Sequence, residues 1–353
     1  MSIYINAIGN ISPQKTADNL RFLEEPLSYE SLQLRSIDPG YKEFIPAELI
    51  RRMGRIIKMG VAASKICLNE AGCAVPDAII TGTGLGCIED TEKFLATLIR
   101  NREEFLTPTS FIQSTHNTVG AQIALLLKCH GYNFAYVHRG LSFESALTDA
   151  ILRLEAGHAA NVLAGGIDEL TNDSFAIMQR LGHWKRKPIP SLRLFENTTR
   201  GTIAGEGASF FFLEKERKES GYAELKDVSM LFDPASDEEV EGWIAGFLSG
   251  RGLKTTDISL LVTGMNGDPA SDTIYHKMLS GPFAGMPAAR YKHLCGEYMT
   301  AGAFGMWLGS MIMKTQTVPE VVRMTTPPGR LNHILLWNHY RTTHHSLILL
   351  SRS

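Results

Sequence analysis

The feature that most constrains the fold is a repeated alternation between short apolar runs and longer amphipathic stretches. Helix patterns such as ELIRRMGRIIKMGVAASKICLNEAG at 48–72 place apolar residues three and four positions apart. Strands that alternate with helices predict a layered α/β fold with a largely parallel, buried sheet. The strand-like runs occur at 2–9, 78–86, 134–138, 161–168, 208–215, 258–267 and 345–352.

The same order of elements recurs later in the chain. The segment 234–257 is predicted to contain an amphipathic helix that begins near Ser236, with Glu239 three residues on completing a capping box. A strand that ends in TGMNG at 263–267 follows this helix, just as AIITGTGLG at 78–86 follows an earlier one.

This topological similarity predicts two related halves, 1–220 and 221–353, although no sequence repeat accompanies it. Within the first half, the stretch 183–204 is polar and rich in turn residues. We predict an ordered surface loop there.

Composition excludes several classes of partner. The chain has 353 residues, 44% of them hydrophobic, with a formal net charge of −2 and scattered lysines and arginines. Neither nucleic acid nor an anionic membrane surface is therefore predicted as a partner. No apolar run approaches the roughly 20 residues of a membrane span, and MSIYINAIGNISPQ lacks the pattern of a signal peptide. We predict a cytoplasmic protein.

Cysteine and histidine positions predict neither disulfides nor a metal site. The five cysteines are far apart and odd in number, and no Cys-x-x-Cys pair occurs. His344 and His345 are adjacent on a predicted strand, so their side chains point to opposite faces. GTGLG at 82–86 lacks the spacing of a phosphate-binding loop and is interpreted as a tight packing turn. No cofactor is predicted. The cysteines are Cys67, Cys73, Cys87, Cys129 and Cys295.

Five stretches together resemble the β-ketoacyl synthase family in order and spacing, over nearly the whole chain. They are GTGLGCIEDTEKFL (82–95), FIQSTHNTVGAQIALLLKCHGYNFAYV (111–137), GHAANVLAGGIDE (157–169), RGTIAGEGASFFFLEKE (200–216) and KHLCGEYMTAGAFGMWLGSMI (292–312). The resemblance implies a thiolase-like fold, in which two related α/β halves stack as five alternating layers and the protein works as a dimer.

The resemblance also implies where catalytic groups stand in active members. The nucleophilic cysteine of the family falls on Gly140, in HRGLS at 138–142. The first histidine falls on Gly264, or on Met265 if the loop slips by one residue, and the second falls on Glu297. Near the C-terminus, the small residues of the family's glycine-rich gate are replaced by HYRTT at 339–343, which includes Arg341. We therefore predict an inactive condensing site.

Other residues near these positions carry alternative interpretations. Ser142 is a possible substitute nucleophile with His138, His116 or Glu297 as its base, or else a helix cap. Glu297 is either a general base or a partner in a structural charge pair with Arg139, His138 or Arg341. Lys292 is predicted to form an ion pair with Glu297 or Glu206. The methionines Met299, Met306, Met311 and Met313 are interpreted as core filling.

Two functions follow from the resemblance. The first is a non-catalytic partner, of the chain-length-factor type, for an active ketosynthase in fatty-acid, polyene or polyketide biosynthesis, with self-dimerisation as the alternative assembly and an acyl carrier protein as a further candidate partner. The second is a divergent acyltransferase or malonyl decarboxylase acting on carrier-protein substrates. Interface and tunnel residues are predicted to be Ser114, Thr115, His116, Asn117 and Phe134.

Overall fold

The computed structural model describes residues 2–19, 22–106, 108–327 and 329–352. Its strands are β1 (Tyr4–Ile11), β2 (Gln33–Leu34), β3 (Ala78–Gly82), β4 (Tyr132–Tyr136), β5 (Asn161–Asp168), β6 (Ala204–Gly205), β7 (Gly207–Glu214), β8 (Ala223–Phe232), β9 (Leu260–Thr263), β10 (Ala288–Arg290), β11 (His333–Tyr340) and β12 (His344–Ser351). Its α-helices are α1 (Ala47–Ile50), α2 (Arg55–Ala71), α3 (Ile88–Arg100), α4 (Pro108–Gln113), α5 (Thr118–Leu127), α6 (Ser142–Glu155), α7 (Asn172–Arg180), α8 (Asp237–Ser249), α9 (Pro269–Ser280), α10 (Lys292–Cys295) and α11 (Ala301–Thr315). Short 3-10 helices cover Tyr41–Glu43, Arg139–Leu141, Ser191–Glu196, Thr255–Asp257 and Glu320–Val322.

Ten strands join in one sheet in the order β10-β9-β11-β12-β8-β1-β7-β5-β3-β4. The two halves of this sheet meet where β1 and β8 pair antiparallel, through Tyr4 with Glu224 and Ile5 with Ala223. Each half has the same arrangement, with parallel pairs at its outer end and antiparallel pairs toward the junction.

Helices cover both halves of the sheet and also fill the space between them. The period-2 alternation of the strands assigns side chains to separate layers: on β5, Val162 and Ala164 join the core shared by both halves, whereas Leu163 packs outward under α2 and α5. On β11, Leu336 faces the shared core and Leu335 faces the outer helices α8 and α9. The helices α6 and α11 lie between the two half-sheets. This is the thiolase-like five-layered αβαβα fold of two related halves.

The central helix α11 is buried on all sides, as expected for a helix between two sheets. Met306, Met311 and Met313 belong to the shared core, which confirms their interpretation as core filling. Met299 is different, because it lines a small cavity beside the candidate site.

Each of the seven predicted strand runs contains a strand, but the prediction of a largely parallel sheet was wrong. The sheet is mixed, since β11 and β12 are joined by a tight turn and therefore must run antiparallel. The sequence patterns missed the long strands β8 and β11 and the short strands β2, β6 and β10.

Three further predictions concern local structure. The helix predicted near Ser236 is α8, and the Ser236 hydroxyl accepts a hydrogen bond from the Glu239 N–H at 3.3 Å, which confirms the cap. The Glu239 carboxylate accepts from the Ala235 N–H and not from the Ser236 N–H, so the predicted capping box is not completed. The segment 183–204 is loop with one 3-10 helix, Ser191–Glu196, and one strand residue, Ala204. The boundary near residue 220 stays a prediction; it falls between β7 and β8.

Over the described ranges, no helix is long and apolar enough to cross a membrane.

Candidate functional site

The candidate site begins at the turn between β4 and α6, where Ser142 is already occupied by local hydrogen bonds. Its buried hydroxyl accepts from the His138 N–H at 2.7 Å and donates to the Arg139 carbonyl at 2.7 Å. A hydroxyl whose proton points at a backbone carbonyl is held as a turn clamp, not aligned on a base. The predicted capping role is thus modified, because Ser142 stabilises the turn that precedes its helix.

Gly140 leaves no space for a nucleophile. It is buried, and a Cβ atom at this position would overlap with Tyr340 Cβ and lie 3.0 Å from Tyr340 Cγ and 3.3 Å from His344 Cβ. Its neighbours His138 and Arg139 are exposed on the surface. Arg139 has a left-handed backbone with φ of 48°, so this turn is strained at a residue that carries a side chain.

The loop after β9 is equally closed to a histidine. A Cβ atom on Gly264 would lie 2.9 Å from Tyr275 Oη and 3.0 Å from Asn338 Cα. Met265 points the other way and is fully buried in the outer core of the second half. Neither position therefore presents a group that can transfer a proton.

Glu297 is the polar centre of the site, and its position depends on Gly296. The short helix α10 ends at Gly296, whose φ of 76° reverses the chain, and a Cβ there would lie 2.6 Å from Gly205 Cα. The reversal lets the Lys292 ammonium reach both oxygens of Glu297, at 2.9 and 2.8 Å.

This ion pair is buried, with 0% of the Lys292 side chain and 6% of the Glu297 side chain exposed. The predicted pairing of Lys292 with Glu297 is confirmed. The predicted pairing of Glu297 with Arg139, His138 or Arg341 was wrong. His138 and Arg139 are exposed outside the pocket, and Arg341 is also exposed at the surface.

Asn266 is the residue of this centre that the sequence did not single out. Its side-chain amide donates to Glu297 Oε2 at 2.8 Å, and it is buried. The loop that carries it is fixed by Asp272, which accepts from the backbone N–H groups of Asn266 and Gly267, each at 2.8 Å. Asn266 follows the aligned position 264 by two residues, so its loop was identified from the sequence but its hydrogen bond to Glu297 was not.

Tyr340, from the stretch that replaces the glycine-rich gate, closes the pocket. It is buried against Gly140, and burial raises its pKa to about 12. Two small cavities of about 60 and about 40 Å³ remain beside it, and both are lined by Trp184, Glu297 and Tyr340. Such volumes hold a few water molecules and no acyl chain. Arg341 lies at the outer end of the second cavity.

The histidines near this gate are structural. His339 is stacked on Tyr275 at 4.8 Å, and burial lowers its pKa well below the usual range. His344 and His345 point to opposite faces as predicted: His344 contacts His138 and Phe232, whereas His345 lies near His339. Within the described ranges, no group of three or more His, Cys, Asp or Glu side chains is arranged to hold a metal ion.

Buried carboxylates hold the walls of the former pocket. Asp168 accepts from Gly84 N–H at 2.8 Å and from Thr300 N–H at 2.9 Å, so it links the first half to the start of α11. Glu206, in the GEG stretch, binds Arg55 and accepts from Leu170 N–H at 3.0 Å. Glu206 is therefore committed to Arg55 and is not the partner of Lys292.

The predicted interface residues lie on the surface at one edge of the sheet. Ser114 is half-buried, and Thr115, His116 and Asn117 are exposed in the loop before α5. Phe134 lies on β4, the last strand of the sheet, and its ring stacks on Tyr132 at 6.0 Å.

Further large apolar side chains are exposed on the helices that precede β4 and on the residue that follows it. Among the described residues no strand pairs with the outer edge of β4. This combination of a free strand edge and apolar exposure is typical of a binding surface. These exposed residues are Phe111 and Ile112 on α4, Leu125 on α5 and Val137 directly after β4.

Comparisons with known proteins agree with this architecture. Residues 24–219 match the family model for the β-ketoacyl synthase N-terminal domain. Nodulation protein E of Rhizobium meliloti (strain 1021) is 26% identical over an alignment of 243 residues, which covers 62% of this chain and 58% of that protein. The match therefore spans less than two thirds of the length of this relative.

Solved structures share the fold over the whole chain. The ishigamide ketosynthase/chain length factor superposes with a TM-score of 0.79 at 17% identity, covering 100% of this chain and 99% of that one. The ketosynthase ApeO in complex with its chain length factor ApeC, from Xenorhabdus doucetiae, gives 0.79 at 15% identity over 100% and 98%. AntDE:AntF, a type II polyketide ketosynthase with its acyl-carrier protein, gives 0.76 at 14% over 100% and 99%. With its family model matched over more than half of its length and its fold shared throughout, this chain belongs to the β-ketoacyl synthase family.

Proposed function

We propose that this chain is a non-catalytic ketosynthase-like subunit that pairs with an active ketosynthase and helps to shape the cavity in which the partner's acyl chain grows. The observation that carries this proposal is the contact between Gly140 and Tyr340. A pocket in which the nucleophile position has no side chain, and no space for one, cannot form a thioester.

The edge of the sheet supports the second part of the proposal. The free edge of β4 offers backbone N–H and C=O groups for pairing with an equivalent strand, and Phe134 with its exposed apolar neighbours offers area for burial. A partner of the same fold presents the same kind of edge, so the two subunits would extend one sheet across the interface. Two of the similar solved structures are described as ketosynthase and chain length factor together.

The alternative activity, an acyltransferase or malonyl decarboxylase, receives less support. It requires Ser142 or His138 to work with Glu297, but the Ser142 proton is donated to a carbonyl and His138 is exposed. Glu297 is bound to Lys292 and Asn266, and the cavities beside it are too small for a substrate.

The proposal is tested by mixing the purified chain with the ketosynthase of its own biosynthetic pathway and measuring the mass of the complex by analytical ultracentrifugation. We expect one copy of each subunit in a stable heterodimer. If the chain remains a homodimer at all mixing ratios, the proposed heterodimer is replaced by a self-associated dimer. If the chain associates neither with the ketosynthase nor with itself, the proposal is overturned.

A further inference from the structure

One buried carboxyl group outside the polar centre holds the first turns of two helices. Glu169 follows β5 directly, and only 8% of its surface is exposed. Its Oε2 accepts from the Ile56 N–H of α2 at 3.3 Å, and its Oε1 accepts from the Glu89 N–H of α3 at 3.1 Å. The residues that precede these helices, Gly54 and Cys87, provide no side-chain cap. Glu169 is therefore a shared N-terminal cap for both helices.

Glu169 has no cation of its own, although charged groups surround it. Among the described residues it forms no ion pair. The Arg55 guanidinium donates to Glu206, and the Lys93 ammonium donates to Glu89 at 2.7 Å. The titratable groups around it are Arg55 from α2, Glu89 and Lys93 from α3, Cys87 from the turn before α3, Glu206 from the connection of β6 with β7, and Asp168 from its own segment.

These surroundings make the ionised form of Glu169 costly. Burial raises its pKa to about 7, and the negative charges of Glu89 and Glu206 add to the rise. In water the same carboxyl group would have its ordinary pKa of 4.5. The attached arrangement therefore binds the proton more tightly than an arrangement that exposes the group. This contribution to attachment is full below about pH 4.5 and is lost as the pH rises through about 7.

The structure also has space and a second anchor for a movement of α3. A cleft of about 460 Å³ lies between α3 and residues 170–173, the segment after β5. Beyond the first turn, Glu92 Oε1 accepts from the Thr171 hydroxyl at 2.6 Å and from the Ser174 N–H at 3.1 Å. Glu92 lies one turn after Glu89. The helix is therefore still held at this second anchor when its first turn is released.

We infer that Glu169 is a proton-controlled latch, which holds the first turn of α3 to the segment after β5 when it is neutral and releases this turn when it is ionised. A neutral carboxyl group keeps its carbonyl oxygen as an acceptor, whereas a buried carboxylate without a cation is driven toward water. The Thr91 hydroxyl, in the released turn, donates to the Ser114 carbonyl at 3.3 Å. Release therefore reaches the loop 114–117. The latch belongs to the chain alone, and its test needs no partner.

Hydrogen–deuterium exchange of the full chain, measured by mass spectrometry near pH 6 and near pH 8, tests the latch. After correction for the intrinsic exchange rate, amides 89–92 should be about tenfold less protected near pH 8, as follows from pKa values of 4.5 and about 7. Glu169→Gln is neutral at both pH values and should change by less than about twofold. Glu144→Gln is the matched control, since it removes another buried carboxyl group whose pKa is raised to about 7, and it should keep the full response.

A second readout needs no variant. Protection of amides 89–92 in the unaltered chain should be level between about pH 8 and about pH 9, because Glu169 is then ionised whether or not the helix is attached. Circular dichroism checks that both variants are folded. Equal protection near pH 6 and near pH 8, a continued loss above about pH 8, or the same response in Glu169→Gln as in the unaltered chain would overturn the inference. Loss of the response in Glu144→Gln would assign the titration to that residue and would also contradict the latch.

Discussion

The turn at Gly140 and the strand that leads into it, β4, are adjacent in sequence but have opposite surroundings. Around Gly140 the space is filled by Tyr340, and the polar groups nearby are satisfied by one another. Along β4 the outer edge has no strand beside it among the described residues, and Phe134 is 46% exposed. The contrast indicates that the pocket has become part of the core while the edge has remained available for a partner.

This difference separates two requirements that coincide in an active enzyme. Catalysis needs unfilled space, a nucleophile and unsatisfied donors aimed at the substrate. Assembly needs exposed area and free backbone groups. Each requirement makes its own prediction for substitutions: changes in the pocket should alter stability, and changes at the edge should alter association.

The largest effect is expected from Lys292→Met. This change leaves the Glu297 carboxylate buried without its cation, and breaking such a pair costs roughly 3–5 kcal/mol. Urea unfolding measures it. The double variant Lys292→Met/Glu297→Met should recover much of the loss, since no lone charge remains; a single variant as stable as the unaltered chain would show that the pair is not buried in solution.

At the edge, Phe134→Asp should weaken association with the ketosynthase by about 100-fold, because it places a charge where a large aromatic ring is buried on binding. Its own stability should change little. Ile177→Asp is the control, since Ile177 is an apolar residue with 59% of its surface exposed and lies on α7, the helix that follows β5, a strand that does not pair with β4. Sedimentation equilibrium gives both dissociation constants, and equal values for the two variants would place the interface elsewhere.

Gly140→Cys places the family's nucleophilic residue at its aligned position, but the structure has no space there for the cysteine side chain. Because its Cβ overlaps with Tyr340, the variant should lose roughly 2 kcal/mol of stability, as in other overpacked cores. Adding Tyr340→Ala should restore part of this loss. Gly242→Ala, in α8 with no atom near its Cβ, is the control and should be neutral or slightly stabilising. Additive effects of the Gly140 and Tyr340 changes would argue against the contact.

The smallest expected effect concerns Glu144, which is buried on α6 one turn after Gly140. Burial raises its pKa to about 7, and its Oε1 accepts from the Ser346 hydroxyl at 2.8 Å. A folded-state pKa above the unfolded value means that the folded form binds more protons, so this contribution is full below about pH 4.5 and is lost as pH rises through about 7.

Glu144→Gln removes that titration. Near pH 8 the variant should be more stable than the unaltered chain by on the order of 1 kcal/mol, and near pH 5 the two should be similar. Parallel unfolding curves at the two pH values measure the difference. A constant difference between the proteins across this range would contradict the assignment to Glu144.

Seven of the strands were predictable from the sequence, because apolar runs follow directly from burial in a sheet, whereas the order of the five layers was implied only by the resemblance to the β-ketoacyl synthase family. The strand β8 was missed since only its first residues are fully buried, so its pattern is weak. The absence of a thiol at Gly140 was also visible. The residue that fills the space beside Gly140 was not predictable from the sequence. Tyr340 is distant along the chain, and nothing in its local pattern predicts the direction of its ring.

Partners of charged groups were predicted only where they are close along the chain. Lys292 and Glu297 are separated by one helical turn and a glycine reversal, so their pairing could be predicted. The contact of Glu297 with Asn266 depends on how the two loops meet in the fold. Spacing carries no information about such contacts without the topology.

The most direct test of the central claim is to measure where the radiolabel of two labelled substrates ends up. The purified chain, alone and mixed with its ketosynthase, is incubated with acyl carrier protein bearing a radiolabelled acyl group and with carrier bearing carboxyl-labelled malonate. We expect no covalent acyl label on this chain in either case and no labelled carbon dioxide from the chain alone, while the partner subunit becomes acylated. An acyl adduct mapped to this polypeptide, or carbon dioxide released in the absence of the partner, would contradict the account.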